Sequence, residues 1–222
     1  MNEPLLLTLR LSALTTLLLM GVGMPLAYWL ARSRLRLKPL VEATVALPLV
    51  LPPTVLGFYL LLAMGNHGWI GWLWQALFHR RLAFTFTGLV IASVCYSLPF
   101  AVQPMQAAFQ GISPRLLEAA YTLGATPFRT FWRVVLPNAL PGVVAAAVLS
   151  FAHTVGEFGV ILMVGGNIPG ETKTVSIAIY DMVEALEYSQ AGRLALVLVL
   201  LAYLVLAGFY GFNRRVLQLW RS

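Results

Sequence analysis

The chain contains an apolar run from Leu11 to Ala31 that is long enough to cross a membrane and holds no charged residue. A helix needs about 20 consecutive, mostly apolar residues to span the hydrocarbon core of a bilayer. Of the 222 residues, 59% are hydrophobic and 10% are charged, whereas about 25% of a soluble domain is charged. The sequence therefore predicts one all-α integral membrane domain over residues 1–222, with five transmembrane helices at about 11–31, 41–64, 82–109, 140–164 and 194–212.

The basic residues predict the orientation of these spans, because cytoplasmic loops retain an excess of Lys and Arg. We expect the N-terminus outside and the C-terminus in the cytoplasm, although Arg80 and Arg81 on the outer side run against this rule. The basic excess is explained by topology, so membrane lipid is an expected partner and nucleic acid is not. The basic residues assigned to the inside are Arg32, Arg34, Arg36, Lys38, Arg115, Arg129, Arg133, Arg214, Arg215 and Arg221.

The predicted inner loop, residues 111–139, contains two start patterns for short helices. Ser113–Pro114 and Thr126–Pro127 each place a capping hydroxyl before a proline that suits the first helical position. Gly124 suits the end of the first helix, and Leu136–Pro137 is predicted to end the second before span four begins. Short capped helices in the loop of an apolar protein indicate a docking element, because contact with a partner can order them.

The spacing within this loop resembles the EAA loop of ATP-binding-cassette (ABC) importer permeases. The family pattern E-A-A-x3-G-x9-I-x-L-P is matched throughout, with valine where isoleucine is usual. The resemblance implies a type I ABC importer permease whose loop forms a cytoplasmic coupling helix, seated in a cleft on the ATP-hydrolysing subunit. The residues that match, and that we expect to couple to the ATPase, are Glu118, Ala119, Ala120, Gly124, Val134, Leu136 and Pro137.

The same resemblance implies the rest of an assembly in the bacterial inner membrane. It predicts a homodimer of permeases, two ATPase subunits that hold ATP and Mg²⁺, and a periplasmic or extracellular oxyanion-binding protein. The sequence has no Walker-type phosphate loop, so we expect no cofactor and no enzymatic activity in this chain. His67, His79 and His153 are scattered and Cys95 is the only cysteine, so no metal site is predicted.

Three further segments resemble the permeases of molybdate importers, namely Leu47–Gly57, Gly156–Gly159 and Asn167–Thr174. Sulfate permeases share elements of the last two, and the Asn-Ile-Pro-Gly-Glu-Thr string favours molybdate. The resemblance therefore implies translocation of molybdate into the cytoplasm by alternating access. A sulfate or tungstate permease is the alternative.

Span two contains consecutive prolines, Pro52 and Pro53, that cannot donate helical hydrogen bonds. The helix must bend there, and its freed carbonyl groups need partners or a wet cavity within the membrane. A bent helix that lines the pathway and a kink that only packs both fit this pattern. Pro52, Pro53 and the adjacent Thr54 are our candidates in this span for the translocation path or gate.

Span four carries Ser150, His153, Thr154 and Glu157 at a spacing that places them on one face of a straight helix. Polar side chains at membrane depth are expected to face a cavity or the bundle interior, so Ser150, Thr154 and Glu157 are further pathway candidates. Glu157 is not expected to bind an oxyanion directly, because like charges repel. An intramembrane enzyme using Ser150, His153 and Glu157 is the alternative from another class, although one straight helix orients such a triad poorly.

Overall fold

The computed structural model describes residues 2–219, which form helices joined by turns and loops, with no strand in that part of the chain. A π-helical turn, Phe131–Val135, joins α7 to α8. The α-helices are α1 (Asn2–Arg32), α2 (Lys38–Val50), α3 (Pro53–Met64), α4 (Trp69–Phe78), α5 (Phe86–Gln110), α6 (Pro114–Thr122), α7 (Pro127–Thr130), α8 (Leu136–Val155), α9 (Gly159–Gly165), α10 (Val175–Glu184) and α11 (Tyr188–Leu219).

Four helical segments of the described chain are long and apolar enough to cross a membrane. They are α1, α5, the continuous segment from Pro127 to Val155, and α11 as far as Phe209. Helices α2 and α3 provide a fifth crossing if the pair counts as one span, although the two are bent by 114° at their junction. The predicted all-α membrane architecture is therefore confirmed, with four candidate spans and a fifth that is bent.

The bend between α2 and α3 lies where two prolines follow Leu51. A residue before proline is pushed out of the helical region, because the proline ring clashes with its backbone. Leu51 (ψ 138°) and Pro52 (ψ 136°) both precede a proline and both are extended. Pro53 then begins α3 at a position where a missing N–H has no cost. The consecutive prolines therefore produce a full break in the helix.

The fourth span differs from its prediction at both ends. We expected Leu136–Pro137 to end a short helix and the span to cover 140–164, but the backbone is helical from Pro127 to Val155. The inner loop is correspondingly shorter than the predicted 111–139, because its last residues belong to the long helix. Beyond Val155 the helix stops, and α9 follows as a separate element.

The π-helical turn explains why a proline does not end this helix. A π-turn inserts one extra residue and widens the helix locally. The Leu136 N–H donates to the Phe131 carbonyl, five residues back, and Pro137 follows directly. The Asn138 side chain donates to the Val134 carbonyl at 2.7 Å. The wider turn leaves room for the Pro137 ring, and the Asn138 side chain provides the Val134 carbonyl with a hydrogen bond. Pro137 is therefore tolerated near the start of α8.

Helices α1, α5 and α8 enclose the largest apolar core. A Cβ built on Gly142 of α8 would lie 2.3 Å from the Cβ of Ala108 in α5, so this crossing requires glycine. Nearer the inner loop, the Tyr28 ring contacts the rings of Phe109 and Phe131 with centroids 5.5 and 5.1 Å apart. Other buried members of this core are Leu19, Ala27, Leu30, Val45, Ala101, Val102, Met105, Val135, Ala139 and Ala146.

Two hydrogen bonds define the opposite ends of the bundle. The Val175 N–H of α10 donates to the Thr8 hydroxyl of α1 at 2.9 Å. At the other end of α1, the Arg32 guanidinium donates to the Phe109 carbonyl of α5 at 3.2 Å. The chain start and α10 thus share one end, and the turns after α1 and α5 share the other. The predicted tail arginines lie outside the residues whose side chains are described, namely Arg214, Arg215 and Arg221.

Candidate functional site

An open cleft of about 560 Å³ lies where α3 begins, beside α5 and the junction of α8 with α9. It brings together residues of spans two and four that are far apart in the sequence. Three predicted pathway residues, Pro53, Thr54 and Glu157, line it, and Pro52 immediately precedes α3. The other lining residues are Tyr96, Ala152, His153, Gly156, Phe158 and Gly159.

Two glycines allow α3 and α9 to pack closely beside this cleft. A Cβ on Gly57 would lie 2.9 Å from the Cβ of Met163, and a Cβ on Gly159 would lie 2.9 Å from the Cβ of Pro53. Side-chain carbons in a close-packed interior do not approach this closely. The proline motif of span two and the Gly-Glu-Phe-Gly motif of span four therefore contact each other, and each contributes a glycine.

Glu157 lies in the break between α8 and α9, not on a straight helix as predicted. The helix ends at Val155, and glycines at 156 and 159 flank the Glu-Phe pair. Glycine disfavours a continuous helix at such positions, and Phe158 has a non-helical backbone (φ −136°, ψ −67°). The Glu157 side chain is 0% exposed and contacts α5.

The Glu157 carboxylate accepts hydrogen bonds from two serines of α5. Ser93 Oγ donates to Oε2 and Ser97 Oγ donates to Oε1, each at 2.6 Å. His153 Nδ1 lies 3.5 Å from Oε1. Burying a carboxylate without partners is costly, and hydrogen bonds to its charged form offset that cost. These bonds tie the α8–α9 break to α5.

Ser97 is the centre of this cluster. Its Oγ also lies 2.8 Å from His153 Nδ1 and 3.0 Å from Thr154 Oγ1. The His153 ring stacks on Phe100 with centroids 3.9 Å apart, and its centroid lies 4.7 Å from that of Tyr96. The His153 side chain is 20% exposed and lines the cleft. The imidazole is therefore fixed by its neighbours at the wall of the cleft.

The other two predicted pathway residues of span four, Ser150 and Thr154, are buried and are not among the lining residues. Thr154 joins the Ser97 cluster, whereas the Ser150 hydroxyl is buried without a hydrogen-bond partner. The alternative triad is not assembled, because His153 and Glu157 contact Ser97 and not Ser150.

Ser93 and Ser97 were not among the predicted site residues. Both fall in the predicted third span, and a separation of four residues places them on one face of α5. Like the polar residues of span four, these two serines fall in a predicted span, where polar side chains are expected to face a cavity or the bundle interior. Only the fold reveals that the two faces meet.

The loop that matches the EAA pattern turns at Gly124, as predicted. Gly124 has φ +76°, its N–H donates to the Tyr121 carbonyl at 2.9 Å, and the Ala125 N–H donates to the Ala120 carbonyl at 3.0 Å. These two bonds with a left-handed glycine form a Schellman motif, which ends α6.

The two predicted helix starts of this loop differ. The Thr126 hydroxyl accepts from the Arg129 N–H at 3.3 Å and caps α7, as expected. Ser113 precedes Pro114 at the start of α6, but its side chain makes no capping hydrogen bond. The fixed φ of proline favours this helix start without a capping bond.

The solvent-facing side of α6 and its turn carries much exposed apolar surface. Glu118, Ala119 and Gly124 are exposed, whereas Ala120 is buried. A Cβ on Gly124 would have no atom within 4 Å. Contiguous exposed apolar surface is typical of interaction sites. The large exposed apolar side chains here are Leu116, Tyr121 and Leu123, and the following α7 and π-helical turn add Phe128 and Trp132.

The remaining residues of the EAA pattern lie away from this surface. Val134, Leu136 and Pro137 are half-buried at the junction of the π-helical turn with α8. They therefore belong to the start of the long helix and not to the loop. The pattern thus spans both an exposed turn and the helix that carries it into the membrane.

At the end of the bundle that holds the chain start and α10, the Asn-Ile-Pro-Gly-Glu-Thr string is fixed to α10 by a charged contact. Lys173 Nζ lies 2.5 Å from Asp181 Oδ2, and Asn167 Nδ2 donates to both Asp181 oxygens at 2.8 Å. Burial acts to raise the pKa of Asp181, but the hydrogen bonds from Lys173 and Asn167 and the Lys173 charge outweigh it, so the pKa is lowered. The Thr172 hydroxyl donates to the Gly165 carbonyl at 2.8 Å.

Comparison with known proteins identifies the family. The family described as "Binding-protein-dependent transport system inner membrane component" matches residues 23–218, and the chain belongs to it. The chain is 61% identical over 208 residues to the molybdenum transport system permease protein ModB of Azotobacter vinelandii, covering 94% of this chain and 92% of that protein. It is 38% identical over 205 residues to ModB of Escherichia coli K12, covering 92% and 90%.

The fold is also that of a solved transporter. A crystal structure of a bacterial ABC transporter involved in the import of the acidic polysaccharide alginate matches with a TM-score of 0.78 at 19% identity, covering 96% of this chain and 79% of that chain. The predicted type I ABC importer permease fold is therefore confirmed. Membership of a family of inner membrane transport components also confirms the prediction of a transport subunit rather than an enzyme.

Proposed function

We propose that this chain is the membrane-spanning subunit of an ATP-driven importer that carries molybdate into the cytoplasm by alternating access. The observation that carries the proposal is the exposed α6 turn at Gly124, which places the EAA pattern on an open surface. The choice of molybdate is supported by 61% identity to a molybdenum permease over nearly the whole chain.

In this proposal α6 is the coupling helix, and it docks on an ATPase subunit that holds ATP and Mg²⁺. Glu118, Ala119 and Gly124 are exposed for that contact, and small residues allow a partner to approach closely. Val134, Leu136 and Pro137 connect the loop to the membrane. The helical segment that begins after the loop continues without interruption to Val155, beside the cleft. Movement of α6 against the ATPase can therefore reach the cleft through one rigid element.

The cleft is one side of the translocation path, and a second copy of the chain supplies the other side. Pro52 and Pro53 set the bend of α2 and α3, so that Thr54 lies at the wall. The cleft is open on one side, as expected for half of a path. Beside the cleft, α3 exposes large apolar side chains, and a second copy or lipid would cover them. These are Val55, Phe58, Tyr59 and Leu62.

The remaining partner is an external oxyanion-binding protein, in keeping with the binding-protein-dependent family. The excess of Lys and Arg in the turns after spans one and three supports a cytoplasmic location for α6 and the C-terminus, with the N-terminus outside. The segment from Asn167 to Thr174 then faces the binding protein, held by its contact with α10.

Uptake by cells that lack their own molybdate permease tests this function. The chain is expressed with its ATPase and binding protein, and accumulation of radiolabelled molybdate is measured with and without excess unlabelled tungstate or sulfate. We expect energy-dependent accumulation that requires all three proteins and that excess sulfate does not prevent. Accumulation of labelled sulfate in place of molybdate would assign the chain to the sulfate alternative.

A further inference from the structure

Among the residues that line the cleft, His153 is the one whose side chain can become a cation. It is neither a proposed ATPase contact nor one of the predicted path residues. It lines the cleft together with Thr54 on the opposite element, α3. The ring is fixed by stacking on Phe100 and by contact of Nδ1 with Ser97. A fixed polar group at the wall of a path for a dianion is a candidate contact for that anion.

The hydrogen bonds determine which nitrogen of the ring carries a proton. Ser97 has one hydroxyl hydrogen, and it is donated to Glu157 Oε1. The Ser97 oxygen can therefore only accept at its 2.8 Å contact with His153 Nδ1, so that Nδ1 must carry a hydrogen. With Nδ1 occupied in this way, Nε2 is the nitrogen that remains for a ligand in the cleft.

The charge of the ring then determines whether Nε2 presents a lone pair or an N–H group to an anion. A neutral imidazole with its proton on Nδ1 presents a lone pair at Nε2, which repels an oxyanion. An imidazolium presents an N–H at Nε2 and attracts one. The Glu157 carboxylate lies 3.5 Å from Nδ1, and His153 is in the last turn of α8, where the negative end of the helix dipole attracts cations.

We propose that His153 is the anion-contacting residue of the translocation path, and that its Nε2–H donates to the passing oxyanion when the ring is protonated. The inference rests on the proposed transport function and adds to it the residue that meets the substrate. A solvent hydronium ion gives its proton to Nε2 as the anion enters, leaving water, and the proton returns to solvent water when the anion leaves. Glu157, whose carboxylate lies beside Nδ1, is a positioning residue. This agrees with the expectation that it does not bind the anion itself.

The surroundings of His153 contain few other groups that can titrate. Tyr96 and Ser97 face it from α5, and Glu157 faces it from the α8–α9 break. The α3 wall contributes Pro53 and Thr54, neither of which changes charge. Because a histidine changes charge between about pH 5 and 8, the proposal predicts that transport falls as pH rises through this range.

The test compares wild-type and His153→Gln complexes in proteoliposomes with the partner ATPase and binding protein. Glutamine keeps a neutral donor near the Nε2 position but cannot take up a proton. We expect wild-type molybdate uptake to fall several-fold between about pH 5.5 and 8, and uptake by His153→Gln to be reduced at low pH and flat across the range. His67→Gln is the matched control, because His67 is exposed in the turn before α4, and it should keep the wild-type profile.

A second variant tests the role of Glu157. Glu157→Gln removes the negative charge beneath the ring but keeps an amide that can hydrogen bond to the serines. A protonated ring then has no opposite charge beside it, and the proposal predicts that uptake falls several-fold more at neutral pH than at about pH 5.5. Dividing each variant's uptake by that of the wild type at the same pH removes the pH dependence of the partner proteins.

The outcomes separate this inference from the proposed function. If the wild type transports molybdate and His153→Gln keeps the full pH dependence at undiminished rates, His153 does not contact the anion. If Glu157→Gln alters uptake equally at every pH, the carboxylate has no part in charging the ring. If the wild-type complex with all partners transports no molybdate at any pH, the proposed function itself fails.

Discussion

The turn at Gly124 and the break at Glu157 both interrupt a helix beside a glycine, yet they are stabilised in opposite ways. The turn is closed by backbone hydrogen bonds between neighbours such as Gly124 and Tyr121, and its side chains are exposed. The break is closed by side-chain bonds to Ser93 and Ser97 of a distant helix and is buried. The bonds that close the turn are local and leave its surface exposed, whereas the bonds that close the break come from another helix of the packed bundle.

If α6 docks on an ATPase as we propose, this difference separates contact with that partner from stability of the membrane domain. Changes at the turn should disturb coupling while the chain remains folded, and changes at the break should disturb the fold around the cleft. The helix from Pro127 to Val155 joins the two regions, so a movement at one end can reach the other.

The largest expected effect is loss of transport in Gly124→Asp. Aspartate tolerates a positive φ better than most residues and meets no atom of this chain at position 124, so the fold should persist. An unpaired charge buried against a partner costs about 2–5 kcal/mol, so both uptake and co-purification of the ATPase should be lost. Gly170→Asp is the matched control for co-purification of the ATPase, because Gly170 has φ +79° and open surroundings in the segment beside α10, at the opposite end of the bundle from α6. Normal uptake by Gly124→Asp would contradict the docking assignment.

The second expected effect is a loss of stability in Ser97→Ala. Ser97 contacts Glu157, His153 and Thr154, so its removal leaves buried polar groups without partners, at about 1–3 kcal/mol for an unsatisfied group. Ser93→Ala removes a single bond to Glu157 and should cost less. Thermal unfolding of the detergent-solubilised complexes measures both. Equal destabilisation by the two variants would show that Ser97 is not the centre of the cluster.

The third expected effect concerns the packing of α9 on α3. In Gly159→Ala the new Cβ would lie 2.9 Å from the Cβ of Pro53, whose ring cannot move aside, and overpacking of this kind costs about 1–3 kcal/mol. Gly192→Ala is the control, because a Cβ there meets no atom within 4 Å, and alanine favours a helix interior by up to about 1 kcal/mol. A more stable Gly159→Ala protein would mean that α3 and α9 can move apart to fit the methyl group without a loss of stability.

The two regions also differ in how far the sequence predicted them. Gly124 and Thr126 act on residues within one helical turn, so their roles follow from local rules for helix ends. The position of Glu157 depends on α5 and on the glycines beside it, and spacing on one helix could not show that Ser93 and Ser97 supply its partners. Pro137 was expected to end a helix because proline usually does so. The π-helical turn that accommodates it is not evident from residue types.

The smallest expected effect is at Asp181 of α10, where Lys173 and Asn167 contact its carboxylate. Its pKa lies below the ordinary value of 3.8 in the folded chain. A carboxyl group with a lowered pKa stabilises the fold above its unfolded pKa, and this contribution is lost as the pH falls through the folded pKa. Because the pair is near the surface, Lys173→Gln should cost no more than about 1 kcal/mol at neutral pH. The difference from wild type in unfolding temperature should then shrink as the pH falls below 3.8 and vanish once the pH lies below the folded pKa of Asp181, where the carboxyl group is protonated in both proteins. A difference that persists in acid would mean that Lys173 stabilises this segment through its packing and not through its charge.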